Sequence, residues 1–229
     1  AVRGRRGLID TGRGRGLAAV AAFAALLVVV AIAVAFGAEP VSVGRALADP
    51  TSLDRVILVD VRLPRVLLAA VAGGGLSIVG AAFQALLRNP LAEPYVLGVS
   101  GGAALGATLV IALGVETASL LGAALVPAVA LLGGLGATFL VYAIARGARA
   151  GSSGTSILLA GVMVNAVAAA LITFLKTLVT PSRAQQLLRW LTGFVDLPTP
   201  LGLLTVTAYV ALGSTFLLRD AARLNLLAI

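Results

Sequence analysis

Chemistry in a protein needs side chains that can hold a proton, a metal ion or a phosphate, and this 229-residue sequence is poor in all three. It has no histidine and no cysteine, which removes the commonest transition-metal ligands, the usual proton shuttle and any disulfide. A metal cargo would have to travel already chelated. The one lysine, Lys176, follows Thr-Phe-Leu, whereas a P-loop needs a lysine after glycine to reach phosphates. No apolar run keeps an aspartate or glutamate at its middle, where a proton- or sodium-coupled carrier usually has one. A membrane-embedded enzyme would need convergent His, Cys, Asp or Glu, so no catalytic, metal or cofactor residues are assigned.

The remaining candidates are polar rather than reactive. Ser77, Gln84 and Arg88 are spaced by seven and four, so at about 100° per residue they share one helical stripe. Asn165, Thr173 and Lys176 do the same further along. An unsatisfied polar group in lipid costs several kcal/mol, so both stripes must face protein or a water-filled cavity. They can line a translocation pathway or supply hydrogen bonds between helices, and small polar residues serve both. Gly98, Gly102 and Gly106 form two consecutive GxxxG steps, which let neighbouring backbones approach closely and place their helix in the interior. Arg62 and Arg65 flank Pro64 just before an apolar run; Pro64 suits a first helical turn, and the arginines by themselves read as interfacial anchors.

These residues need elements to carry them. Only 11% of the residues are charged and 60% are hydrophobic, against about 25% charged in soluble domains, so the chain is a membrane protein. Residues 17–36 form an apolar run of about 30 Å as helix, the thickness of the hydrocarbon core. It is longer than the roughly 7–15 apolar residues of a signal peptide. Further runs at about 66–87, 96–114, 118–145, 156–179 and 199–218 bring the expected spans to six: an all-α, polytopic transmembrane bundle.

The net charge is +8, from 17 basic and 9 acidic residues. With the N-terminus inside, the inner segments hold ten arginines (Arg3, Arg5, Arg6, Arg13, Arg15, Arg88, Arg146, Arg149, Arg219 and Arg223) against Asp10, Glu93 and Asp220, a net of +7. The other side nets +1, from seven basic and six acidic residues. Short basic inner loops fit the positive-inside rule, so the arm at 1–16 is read as an orientation signal beside lipid rather than a nucleic-acid tail. In this arrangement Arg88, Asn89, Pro90, Glu93 and Pro94 lie in a cytoplasmic turn, where Pro90 pushes Asn89 out of helical geometry and ends the preceding helix.

The segments "RLPR" at 62–65, "QALLRNPLAEP" at 84–94, "LGVSGGAALGA" at 97–107, "LLAGVMVNA" at 158–166 and "RWLTGFVD" at 189–196 together resemble the FecCD-type permeases, the membrane subunits of ABC importers for iron-siderophores, haem and vitamin B12. The resemblance runs in order from about residue 40 to the end. It implies a ten-helix subunit working as a homo- or heterodimer with a second permease subunit, above two ATP-binding-cassette ATPases and beneath an extracytoplasmic substrate-binding protein, in the cytoplasmic membrane of a prokaryote. It further implies that Arg62 and Arg65 pair with acidic residues of the binding protein. On this reading residues 17–229 are an incomplete permease domain, lacking the coupling helices and the last spans. The alternatives are an ion-coupled secondary transporter or a non-catalytic structural membrane subunit.

Overall fold

A computed structural model describes residues 12–95, 97–115, 120–147, 154–193, 195 and 197–227. The arginines and Asp10 of residues 1–11, and Glu116, Arg149, Ser153 and Asp196, lie outside the described residues. All described elements are helices: α1 (Gly12–Ala35), α2 (Val43–Ala48), α3 (Leu53–Arg55), a π-helical segment (Val56–Arg62), α4 (Leu63–Leu87), α5 (Val99–Ala112), α6 (Leu120–Gly147), α7 (Gly154–Leu178), α8 (Pro181–Leu191), α9 (Pro200–Arg219) and α10 (Ala221–Leu227). Among the described residues, five stretches are long and apolar enough to cross a membrane: Gly16–Ala35, Leu53–Leu87, Leu125–Gly147, Ser156–Leu178 and Pro200–Arg219. The sixth expected span is the shorter apolar helix α5.

That shortfall has a local cause. The apolar run at 96–114 donates both its ends to loops: Gly98 is the N-cap of α5 at φ +82° and Gly114 lies beyond its end at φ +76°, left-handed values that glycine adopts without the Cβ penalty. The 14 residues left span about 21 Å at 1.5 Å each, short of the roughly 30 Å hydrocarbon core. Such a helix is tolerable at membrane depth where protein covers its ends.

Two further expectations change. Pro64 lies in the first turn of α4, but no loop precedes it, because Leu53–Leu87 is one continuous 35-residue stretch. In an α-helix the proline ring would clash with the carbonyl four residues earlier, that of Asp60. Asp60 lies in the π-helical segment, whose wider winding precedes the proline directly. At the other end, α4 stops at Leu87 and not at Pro90. Arg88 turns left-handed (φ +50°), its N–H donates to Ala85 O at 3.3 Å, and the Asn89 N–H donates to Gln84 O at 3.2 Å. This is the Schellman pairing of a helix C-terminus, with arginine where glycine is usual. Pro90 follows as a residue that cannot resume the helix.

The chain divides into two units, Ala1–Gly73 with Val195–Tyr209, and Gly74–Phe194 with Val210–Ile229. In the first, α1 packs against the π-helical segment. From residue 16 to residue 29 every α1 residue is exposed, as suits a helix that is apolar all round and surrounded by lipid. In the second, α5 is the hub, packed on α6, α7 and α8. Its core is Ala107, Val110, Ile111, Val126, Ala130 and the fully buried Leu187. Leu187 belongs to α8, an amphipathic helix that opens with Pro181 after the N-cap Thr180, the position where proline's missing N–H costs nothing.

Candidate functional site

The expected glycines meet where α5 crosses α6. A Cβ on Gly106 would lie 2.5 Å from Val129 O and 3.4 Å from Ala130 Cα, and one on Gly102 would strike Ala137 Cβ and Gly133 O. In return, a Cβ on Gly133 would strike Gly102 O and come within 3.3 Å of Gly106 Cα. At these glycines the two backbones touch directly, with the Ala137 methyl beside them, the close approach that the GxxxG spacing permits. Beside this crossing an apolar cavity of about 500 Å³ is lined by α5, α6 and α7, among them Leu105, Leu109, Leu140, Met163 and Leu171.

The N-terminus of α5 has an unusual cap. Gly98 has no side chain with which to accept the N–H groups left free at a helix start. Asn165 of α7 substitutes from 64 residues away, its Oδ1 accepting from Gly101 N–H at 3.1 Å, while its Nδ2 donates to Tyr95 O. One amide side chain thereby holds the start of α5 and the last part of the 88–98 loop. Gly101 makes room for it, since a Cβ there would lie 3.2 Å from Asn165 Cγ and 3.3 Å from Ala168 Cβ. Within the loop Asn89 Oδ1 accepts from Leu91 N–H at 2.9 Å, Ala92 is fully buried, and Pro90 and Glu93 are exposed with Pro94 half-buried.

The two polar stripes fare differently. Ser77, Gln84 and Arg88 are all exposed. The α7 stripe divides: Asn165 reaches α5, whereas Thr173 Oγ1 donates to its own helix at Ala169 O, 2.9 Å away. Arg62 is occupied within the chain. Its Nη1 donates to Val34 O at 3.1 Å and Ala35 O at 2.9 Å, and its Nη2 donates to Glu39 O. Arg65, three residues on, has a buried Nε with no hydrogen-bond partner among the described residues.

Sequence reasoning overlooked Tyr95, Gly101 and Arg183. Arg183 lies in the first turn of α8 and its Nη1 donates to Ala112 O at 3.2 Å, the last residue of α5. A signal was present in the apolar run ending before Gly114 and in the Thr-Pro pair at 180–181, a helix start preceding an arginine.

The family model of the FecCD transport family matches residues 25–229. An ABC transporter permease protein of Bacillus subtilis, YvrB, is 35% identical over 171 residues, 75% of this chain and 48% of that protein. The vitamin B12 import system permease protein BtuC of Vibrio vulnificus is 36% identical over 180 residues, 75% of this chain and 52% of the relative. The chain therefore spans about half the length of the curated relatives it matches. A solved structure described as an inward-facing metal-chelate type ABC transporter superposes with a TM-score of 0.74 at 30% identity, over 92% of this chain and 64% of its own. The shared fold, the ordered motifs and a match running from the first span to the last residue agree, and the chain belongs to the FecCD transport family.

Proposed function

We propose that this chain is the membrane-spanning permease part of an ABC importer that carries a metal chelate, of the iron-siderophore, haem or cobalamin class, across the cytoplasmic membrane. The observation that carries this reading is the fold shared with the metal-chelate transporter over 92% of the chain, joined to relatives described as iron-uptake and vitamin B12 permeases. In this reading the N-terminus is inside, a second permease subunit completes the pathway, two ATPase subunits supply the energy, and a binding protein delivers cargo from outside. The chain itself performs no hydrolysis, since its only lysine is placed outside any P-loop context. The 88–98 loop faces the ATPases and the exposed stripe of Ser77, Gln84 and Arg88 faces the pathway or the second subunit. Arg62 and Arg65 mark the face on which the binding protein docks.

The test is uptake into proteoliposomes holding the full-length subunit with its ATPase and binding protein, using ferric siderophore and cobalamin as separate cargoes. ATP-dependent accumulation of one cargo, abolished by disabling the ATPase, is the expected result; accumulation driven by an ion gradient without ATP refutes the reading. Orientation is checked by single cysteines at Glu116 and Ser153, which label from opposite sides of the membrane if the N-terminus is inside and the spans alternate as stated.

A further inference from the structure

The last four carbonyls of a helix have no partner within it, and they form the negative end of the helix dipole. For α1 this end is exposed to unusual demands, because the helix is bare over most of its length and the element it packs against is the π-helical segment. Arg62, the last residue of that segment, donates to the carbonyls of Val34 and Ala35, the two final residues of α1, and to Glu39 O just beyond. The guanidinium lies flat over Gly37: a Cβ there would sit 2.7 Å from its Cζ, 2.8 Å from Nη2 and 2.9 Å from Nε. Glycine at 37 is thus a matter of space, the seat on which the planar fork rests.

The same construction recurs in the other unit. Arg183 donates to the final carbonyl of α5, Ala112 O, and lies over the glycine that follows, Gly114, whose added Cβ would come within 2.5 Å of the arginine Cζ. Two helices, each ending just before a glycine, are closed by an arginine delivered from another element. A guanidinium suits this use, since its fork of donors is rigid and permanently charged.

We propose that Arg62 is a positioning residue that caps the C-terminal end of the first span, with Gly37 as its seat, and holds that end against the π-helical segment. Three of its five N–H donors are taken up at the end of α1 and at Glu39 just beyond, so on the docking reading given above, Arg65 carries the larger part of the contact with the binding protein.

The experiment uses the full-length transporter and compares Arg62→Ala, Arg62→Lys, Gly37→Ala and the Gly37→Ala/Arg62→Ala double variant by amide hydrogen exchange at residues 32–39. Loss of a cation at a helix C-terminus is expected to speed local exchange about tenfold. Gly37→Ala, which keeps the charge but fills the seat, is expected to reproduce that change, the double variant to exceed neither single, and Arg62→Lys to recover part of the protection. Unchanged exchange in Gly37→Ala, or additive effects in the double variant, overturns the proposal; should Arg62→Ala not fold, Gly37→Ala and Arg62→Lys decide alone. Binding-protein affinity, measured in parallel, falls in Arg65→Ala and holds in Gly37→Ala if docking is through Arg65. If neither variant alters affinity while the exchange pattern is as expected, the docking reading fails and the cap stands.

Discussion

Alanine at position 106 brings a methyl carbon 2.5 Å from Val129 O and 3.1 Å from the carbonyl carbon, against about 3.5–4.0 Å for a relaxed contact between carbons. The atoms in the way are backbone, so no rotamer change relieves them, and α5 and α6 must part by roughly an ångström. Overpacking of this kind costs about 1–3 kcal/mol. Opposing it, alanine is favoured over glycine inside a helix by about 1 kcal/mol. Gly136, on the facing helix, isolates that second effect because an added Cβ there meets nothing within 4 Å. Gly136→Ala is thus expected to be neutral or stabilising, and Gly106→Ala to lie about 1–3 kcal/mol below it, a gap of roughly 2–12 °C at about 2–4 °C per kcal/mol. Thermal unfolding of the full-length subunit in one detergent measures both. If Gly106→Ala melts at or above Gly136→Ala, the reasoning from backbone contact is refuted.

Asn165→Leu removes both the acceptor for Gly101 N–H and the donor to Tyr95 O, for a cost of about 1–3 kcal/mol in thermal unfolding; Asn165→Asp, which keeps the acceptor, is expected to fall between the variant and wild type. Thr108 is fully buried and its Oγ1 has no hydrogen-bond partner among the described residues, so Thr108→Val is expected to leave the melting temperature unchanged or raised, and a clear drop would reveal a partner such as a bound water. The Asp49 carboxyl is held below its ordinary value of 3.8 first by the Thr51 hydroxyl and then by the Thr51 N–H, which donate to Asp49 Oδ1 at 2.7 and 2.8 Å. A depressed carboxylate contributes stability above its unfolded pKa and loses it as pH falls through the folded one. Thr51→Val is therefore expected to raise the Asp49 pKa, read by NMR titration of a labelled carboxyl, and to remove part of this acid sensitivity; an unmoved pKa contradicts the assignment.

The long apolar helices were legible because length and hydropathy alone specify a span: the runs at 156–179 and 199–218 differ by no more than two residues at either end from Gly154–Leu178 and Pro200–Arg219. Helix α8 was not, since 11 residues with arginines and glutamines carry too little apolar length to register, although Arg183, Leu187 and Leu191 keep a helical spacing. The boundaries of α4 misled in both directions. Pro64 and Pro90 are the residues that local rules treat as punctuation, yet a π-helical segment absorbs the first and a left-handed Arg88 anticipates the second. For the candidate site, the glycine spacing at 98, 102 and 106 pointed to close packing without naming Gly133 as its counterpart. The Asn165 cap and the Arg62 cap join residues 64 and 27–28 apart, and no local pattern encodes such pairings.

The backbone contact of Gly102 and Gly106 with Gly133 also fixes how force passes through this part of the molecule. An interface of interdigitated side chains can absorb a small push by switching rotamers; carbonyls resting on glycine Cα atoms have no such reserve, and packed protein is nearly incompressible. A load on α6 at Gly133 is handed to α5 at Gly102 and Gly106 almost undiminished. The ends of α5, where Gly98 and Gly114 occupy backbone regions open to glycine, are held in turn by Asn165 and Arg183. The helix pair is a stiff strut clamped at both ends of α5 by side chains from other helices.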